Sequence, residues 1–83
     1  MTSREKLLRQ ASKCYLNAGQ IDDACRCFEK LGDYAKAADL YEQQQQWEKA
    51  ALGYSRAQMW HEAARCYLRC EQPIEAAQCF LNS

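Results

Sequence analysis

Cysteine and histidine are the residues best able to do chemistry in this 83-residue chain, which has six cysteines and one histidine. A thiol nucleophile needs a base and an orienting group beside it, and His61 is the only imidazole available. Zinc sites use paired ligands, but Cys25 and Cys27 are two positions apart and would point to different sides of a helix. Cys66 and Cys70 could face one another, yet His61 lies off their face. The sequence therefore predicts no enzyme activity, no metal site and no cofactor.

The cysteines have another explanation, because each occupies a fixed position in a sequence repeat. Four of them directly precede an aromatic residue, namely Cys14, Cys27, Cys66 and Cys79. Cys25 and Cys70 stand where other repeats place alanine. A free cysteine packs like a small apolar side chain, and a disulfide framework belongs to a secretory context that the sequence does not indicate. We expect packed, free thiols.

Aromatic residues recur every 13 positions, and this repeat is the strongest pattern in the sequence. The rings are Tyr15, Phe28, Tyr41, Tyr54, Tyr67 and Phe80. Each ring follows an alanine by four positions and a second small residue by three. The first of these two sets is Ala11, Ala24, Ala37, Ala50, Ala63 and Ala76, and the second is Ser12, Cys25, Ala38, Ala51, Ala64 and Ala77. Such spacings place one apolar stripe along an α-helix.

Each unit therefore predicts one short helix. About ten residues of helix rise roughly 15 Å and leave about three residues in which the chain must reverse. Neighbouring helices are then antiparallel, and helices this short must be stabilised by packing on their neighbours. The sequence predicts an all-α solenoid of about six short antiparallel helices, paired as three hairpins. We expect one domain over residues 1–83, as a segment of a longer array.

Capping residues agree with this division into helices. Gly19 and Gly32 suit left-handed C-terminal caps, Asp33 can cap the next helix, and Pro73 suits a first turn. Thr2 and Glu5 resemble a capping box, which predicts a longer first helix beginning near Ser3. The four glutamines at 43–46 are interpreted as a polar turn.

Charge is balanced, with 11 basic and 11 acidic residues and no long run of either sign. This pattern disfavours nucleic acid and membranes as direct partners. The first ten residues lack the apolar core of a signal peptide, and no apolar stretch approaches the roughly 20 residues of a membrane span. An intracellular protein, cytoplasmic or nuclear, is expected.

The repeat resembles a known family. Trp47, Ala50, Ala51 and Tyr54 follow the spacing of the first helix of a tetratricopeptide repeat, and the positions 13 residues later repeat it. The resemblance implies stacked helical hairpins that bind proteins. The units differ in length, because the family repeats every 34 residues, whereas two units here take 26. The stretch CYLNAGQIDDACRCFEKLGDY is also similar to helical segments of helicase-like NTPases that contain tetratricopeptide and ankyrin repeats. That similarity implies a parent context and no activity.

A protein-interaction scaffold is the function that this architecture favours, with a protein or peptide bound by residues outside the packing stripe. Alternate helices carry two sets of such residues. The partner-binding candidates are Arg9, Lys13, Asp39, Glu42, Gln43, His61, Arg65 and Arg69. The other set is Asp22, Arg26, Glu29, Glu48, Ser55 and Arg56. Trp47 and Trp60 fit packing better than binding, although tryptophan is frequent at binding hot spots.

The alternative function is a structural spacer or a self-stacking segment of a larger protein. Leucines off the main stripe serve either function and are expected to be exposed: Leu16, Leu52, Leu68 and Leu81. The last helix is expected to present apolar residues that no following unit covers: Ile74, Ala77, Cys79, Phe80 and Leu81. Self-association through terminal helices is therefore a further expectation.

Overall fold

The computed structural model describes residues 3–83, which form six α-helices joined by short turns. The helices are α1 (Ser3–Asn17), α2 (Ile21–Lys30), α3 (Tyr34–Gln43), α4 (Trp47–Arg56), α5 (Trp60–Arg69) and α6 (Pro73–Asn82). The all-α prediction is confirmed. The first helix is longer than the others, as predicted, with 15 residues against 10. It includes Ser3, the first residue that the structure describes. Thr2 of the predicted capping box lies outside the described residues.

Every helix from α1 to α5 ends in the same way. The second residue of each turn has a positive φ, from 60° to 79°, and these residues are Gly19, Gly32, Gln45, Gln58 and Glu71. The next residue donates its N–H to the carbonyl of the ring residue five positions back, at 2.8 to 2.9 Å. These bonds satisfy carbonyls that the helix end leaves unpaired. The glycine caps are confirmed, and three further caps use glutamine or glutamate.

The starts of two helices also agree with the sequence. The Asp33 carboxylate accepts a hydrogen bond from the N–H of Lys36 at 3.5 Å, which caps α3. Pro73 is the first residue of α6, where its missing N–H costs nothing. The glutamines at 43–46 form the end of α3 and the turn into α4, as interpreted from the sequence.

Each helix packs mainly on the helices directly before and after it in the chain. The stack is flat, with principal extents of 39 × 26 × 11 Å. Alanines from the two small positions are buried between α2 and α5, where the backbones approach closely. A close approach occurs at Gly53 of α4, where an added Cβ would lie 2.8 Å from the Ala38 Cβ of α3. Small residues therefore set the distance between neighbouring helices.

The rings differ according to their place in the stack. Phe28, Tyr41, Tyr54 and Tyr67 are buried, whereas Tyr15 is 37% exposed and Phe80 is 49% exposed. The two outermost helices have a neighbour on one side only, which explains the difference. Trp47 and Trp60 are half-buried and pack against the core.

Candidate functional site

The helices present two surfaces, one from the odd-numbered helices and one from the even-numbered helices. On the odd surface (exposed residues of α1, α3 and α5), Arg65 of α5 pairs with Glu42 of α3. On the even surface (exposed residues of α2, α4 and α6), Arg56 of α4 lies 3.8 Å from Glu29 of α2. Antiparallel neighbours thus bring every second helix side by side, and a groove forms between them above the ring of the intervening helix.

All eight predicted partner-binding residues lie on odd-numbered helices. Arg9 and Glu42 are half-buried, and the others, Lys13, Asp39, Gln43, His61, Arg65 and Arg69, are exposed. They do not form one cluster. Arg9 and Lys13 lie in the groove between α1 and α3, and the acidic residues with Arg65 lie in the groove between α3 and α5.

The other three predicted residues, Arg69, His61 and Gln43, lie outside these two grooves. The Arg69 guanidinium lies over the Trp47 ring, with 4.8 Å to its centroid. The His61 ring is 6.0 Å from the Phe80 ring. Gln43 is the last residue of α3. Arg69 and His61 therefore connect α5 to its two neighbours in the stack as well as lying at the surface.

The α3/α5 groove is filled by its own side chains. The Tyr54 hydroxyl donates hydrogen bonds to Glu42 Oε1 at 2.7 Å and to Asp39 Oδ1 at 3.3 Å. Arg65 donates to both oxygens of the Glu42 carboxylate. The Arg65 hydrogen bond, helped by the Tyr54 hydroxyl, lowers the pKa of Glu42 from its usual range. Burial and the bond to Glu42 raise the pKa of Tyr54.

The α1/α3 groove is open and has a different lining. Its floor is Leu16 and Phe28, and three basic side chains, Arg9, Lys13 and Lys36, surround that floor. Leu40 and Asp39 line its α3 side. The Lys36 ammonium is 5.5 Å from the centroid of the Phe28 ring. The arrangement combines an apolar surface with positive charge and can bind a ligand that has both an apolar group and an acidic group.

The repeat explains why one groove is closed and the other open. A shift of two units, 26 residues, carries Leu16 onto Glu42, Phe28 onto Tyr54 and Asp39 onto Arg65. The closing network of the α3/α5 groove therefore has no counterpart between α1 and α3, because a leucine replaces the acceptor and an aspartate replaces the cation.

Sequence reasoning missed three residues of the open groove. Phe28 was assigned to the core, Lys36 was not singled out, and Leu16 was expected to be exposed. That expectation for Leu16 was wrong, because the side chain is half-buried against Phe28 and the rest of the core. The signal in the sequence is a paired change between repeats. Leu16 and Phe28 stand where the next two units have a glutamate and a tyrosine, so both positions become apolar together.

The even surface makes its own polar contacts. The Tyr41 hydroxyl donates to Glu29 Oε1 at 3.2 Å, and the Arg56 guanidinium lies 5.7 Å from the Tyr34 ring centroid. The remaining residues of this set also have partners. Asp22 accepts a hydrogen bond from Gln46, Arg26 pairs with Asp23, Glu48 accepts from Gln72, and Ser55 lies 3.9 Å from the Cys79 sulfur.

The cysteines are free thiols, and all but one are buried or half-buried. The exception is Cys14, which is exposed on α1, so its packing assignment was wrong. The Cys25 thiol donates to the Ala37 carbonyl at 3.6 Å. Burial raises the pKa of Cys25 to about 11, and burial likewise raises the pKa of Cys66 to about 11. Both thiols are therefore protonated near neutral pH, which opposes thiolate chemistry.

Within residues 3–83, no cluster of three or more histidine, cysteine, aspartate or glutamate side chains is arranged to hold a metal ion. Over the same range, none of the helices has the length and apolar character needed to cross a membrane.

The chain was compared with protein-family models, curated proteins and solved structures. No protein-family model, no curated protein and no solved structure matches the chain.

Proposed function

We propose that this chain is a protein-interaction scaffold of the tetratricopeptide-like kind, which binds a protein or peptide on its helical-repeat surface. The observation that carries the proposal is the open α1/α3 groove. Its equivalent two units later is closed by Glu42, Tyr54 and Arg65, whereas the open groove has an apolar floor with the exposed Lys13 and Lys36 beside it. Stacked repeats commonly bind partners along such grooves.

The tetratricopeptide-like assignment is supported by two features. The spacing of Trp47, Ala50, Ala51 and Tyr54 follows that repeat, and successive helices stack as antiparallel neighbours with alanines at the closest contacts. We propose protein or peptide as the partner, with no direct contact to nucleic acid or membrane, because the basic side chains of the groove are balanced by acidic residues elsewhere.

The experiment compares two surface variants in affinity capture from cell extract, followed by titration of each captured protein in purified form. One variant reverses charge on the odd surface, Arg65→Glu with Arg69→Glu. Its control reverses charge on the even surface, Arg26→Glu with Arg56→Glu. Both variants change two exposed arginines that already contact an acidic or aromatic side chain. Circular dichroism must first show that both remain folded.

Binding of a purified partner that one variant loses and the other keeps supports the scaffold function and identifies the surface. The absence of a reproducible partner contradicts it. A partner bound equally by both variants should lose affinity on Lys13→Glu with Lys36→Glu in the open groove, and unchanged binding to that variant as well contradicts the proposal.

A specific observation favours the second candidate function, a self-stacking spacer. The outer side of α6 leaves Ile74 70% exposed and Leu81 84% exposed, beside the partly exposed Phe80 ring. An apolar surface of this kind is typical of a helix that packs on another helix. Association of the purified chain with itself, without any captured partner, would favour the spacer.

A further inference from the structure

We propose that the α1/α3 groove binds an acidic peptide segment that contains an apolar side chain. The apolar side chain lies on the floor formed by Leu16 and Phe28. The carboxylates of the peptide contact Arg9, Lys13 and Lys36. This inference rests on the proposed scaffold function and specifies the chemistry of the ligand.

The floor of the groove is apolar because of a coordinated change in the repeat. In the next two units the ring hydroxyl donates to the carboxylate 12 residues earlier, as Tyr41 does to Glu29 and Tyr54 does to Glu42. Phe28 has no hydroxyl, and the residue 12 positions earlier is Leu16. A ligand that covers these two side chains therefore buries apolar surface without leaving a polar ring atom unpaired.

The α1/α3 groove also stays open, because it lacks an ion pair like the one between Glu42 and Arg65 that closes the α3/α5 groove. Asp39 stands at the position of Arg65, and its Oδ1 accepts a hydrogen bond from the Tyr54 hydroxyl at 3.3 Å. That bond directs the carboxylate toward α4. The carboxylate of Asp39, which lines the groove, is therefore already hydrogen-bonded to a residue outside the groove.

The basic side chains of Arg9, Lys13 and Lys36 surround the floor and make few ion pairs within residues 3–83. The Lys36 side chain is 61% exposed, and its contact with Asp33 is a long surface pair at 4.0 Å, a type that contributes little stability. Lys13 is exposed. The Nε of Arg9 is buried and has no hydrogen-bond acceptor among residues 3–83. A buried donor without an acceptor is costly, so a shift of the Arg9 side chain that brings its guanidinium to a ligand carboxylate is favoured.

A peptide fits these features better than a nucleic acid. The groove has three basic side chains on a chain with no net charge, whereas nucleic acids need basic residues along an extended path. The apolar floor instead suits a leucine or phenylalanine side chain as an anchor, with flanking charges that set specificity.

The test uses a defined probe and the full chain. The probe is a fluorescein-labelled peptide in which a leucine–phenylalanine pair is flanked on both sides by glutamates. A second peptide has lysines in place of the glutamates, and a labelled oligo-uridine RNA reports on nucleic-acid binding. Fluorescence anisotropy gives the Kd of each probe for the wild-type chain, and circular dichroism verifies that each variant folds.

Three variants locate the binding site. Lys13→Glu with Lys36→Glu reverses charge on the groove at two exposed positions. Lys49→Glu is the matched control, because Lys49 lies over Tyr41 on the even surface, 5.6 Å from its centroid, as Lys36 lies over Phe28. Leu16→Glu with Asp39→Arg installs the closing pair of the α3/α5 groove in the α1/α3 groove.

We expect the acidic peptide to bind at least about tenfold more tightly than the lysine-flanked peptide, a readily measured ratio of Kd values. The double charge reversal and the closing variant both abolish that difference, and Lys49→Glu preserves it. Equal binding of the two peptides overturns the inference, as does an effect of Lys49→Glu equal to that of the groove variants, or preferential binding of the RNA. The scaffold function fails separately, through the capture experiment.

Discussion

At the scale of single residues, the position directly after each ring determines what the next ring contacts. Glu29 accepts from the Tyr41 hydroxyl and Glu42 accepts from the Tyr54 hydroxyl, in each case across 12 residues. Leu16 precedes Phe28 by the same distance. The identity of a ring, tyrosine or phenylalanine, thus matches the polarity of the residue it meets. This matching keeps the Tyr41 and Tyr54 hydroxyls hydrogen-bonded and leaves the α1/α3 groove with an apolar floor.

Replacing Tyr54 tests the role of a buried ring and of its hydroxyl separately. Tyr54→Ala empties a large site in the centre of the stack and should lower the free energy of unfolding by about 3 to 5 kcal/mol. Tyr54→Phe keeps the ring and loses only the bonds to Glu42 and Asp39, which should cost about 1 kcal/mol. Urea denaturation measures both. A loss below about 1 kcal/mol for the alanine variant would mean that the ring contributes little to the core.

Glu42 should make stability depend on pH in the acid range. Its pKa in the folded chain is lowered, chiefly by Arg65. The stabilisation is therefore complete above the ordinary glutamate pKa of 4.5 and is lost as the pH falls through the lower folded value. Denaturation at a series of pH values below 4.5 should show a smaller decline for Glu42→Gln than for the wild type.

The control for this measurement is Glu75→Gln, which changes an exposed carboxylate on α6. Its pH dependence should remain closer to that of the wild type. Identical declines for the wild type and Glu42→Gln would show that the contact with Arg65 does not stabilise the fold.

Sequence reasoning predicted the buried rings and the surface location of charged residues, but it did not predict which charges pair. The reason is geometric. The ring spacing of 13 residues is visible in the sequence, whereas the contact between Arg65 and Glu42 depends on how two helices lie beside each other across a third. The proximity of Arg9, Lys13 and Lys36 likewise depends on how α1 and α3 lie beside each other across α2.

At the scale of helices, the turn between units is set by backbone geometry more than by residue type. Gly19 and Gly32 indicated two left-handed caps, but Gln45, Gln58 and Glu71 adopt the same conformation. A non-glycine residue pays steric strain there, and the hydrogen bonds of the cap together with packing of both helices hold it in place. The helix bounds were predictable from the repeat. The three caps at Gln45, Gln58 and Glu71 were not, because glutamine and glutamate do not indicate a positive φ.

Gly53 tests how closely neighbouring helices approach. In an isolated helix, glycine to alanine stabilises by up to about 1 kcal/mol. Here the new Cβ would meet the Ala38 Cβ at 2.8 Å and the Tyr34 carbonyl oxygen at 3.3 Å, so overpacking should make Gly53→Ala destabilising by about 1 to 3 kcal/mol. Thermal unfolding followed by circular dichroism measures the sign. A stabilised variant would contradict the close approach of α3 and α4.

At the scale of the whole molecule, the two ends of the stack differ from its centre. Ile74, Phe80 and Leu81 of α6 are largely exposed, as the sequence indicated, and so is Leu7 of α1. Ala77 is also exposed. The inclusion of Cys79 among the uncovered residues was wrong, because it is buried on the side facing the stack, near Ser55.

The exposed side of α6 should cause association that depends on concentration. Sedimentation velocity over a wide concentration range should show a rising average mass for the wild type, because contact between two such surfaces buries apolar area. Ile74→Glu with Leu81→Glu should reduce it, whereas Leu52→Glu, an exposed leucine on α4, should not. A chain that stays monomeric at every concentration would contradict this.

Because each helix of residues 3–83 is held mainly by its two neighbours in the chain, α1 and α6 are each held mainly from one side, and opening should begin at the ends. Amide hydrogen exchange under native conditions should therefore be fastest in α1 and α6 and slowest in α3 and α4, with a graded series between them. Uniform protection across the helices would instead reveal a single all-or-none unit. A graded series would mean that an end helix can detach while the centre stays folded. Because α1 forms one side of the α1/α3 groove, detachment of α1 would remove the binding site, and a bound ligand would slow exchange in α1.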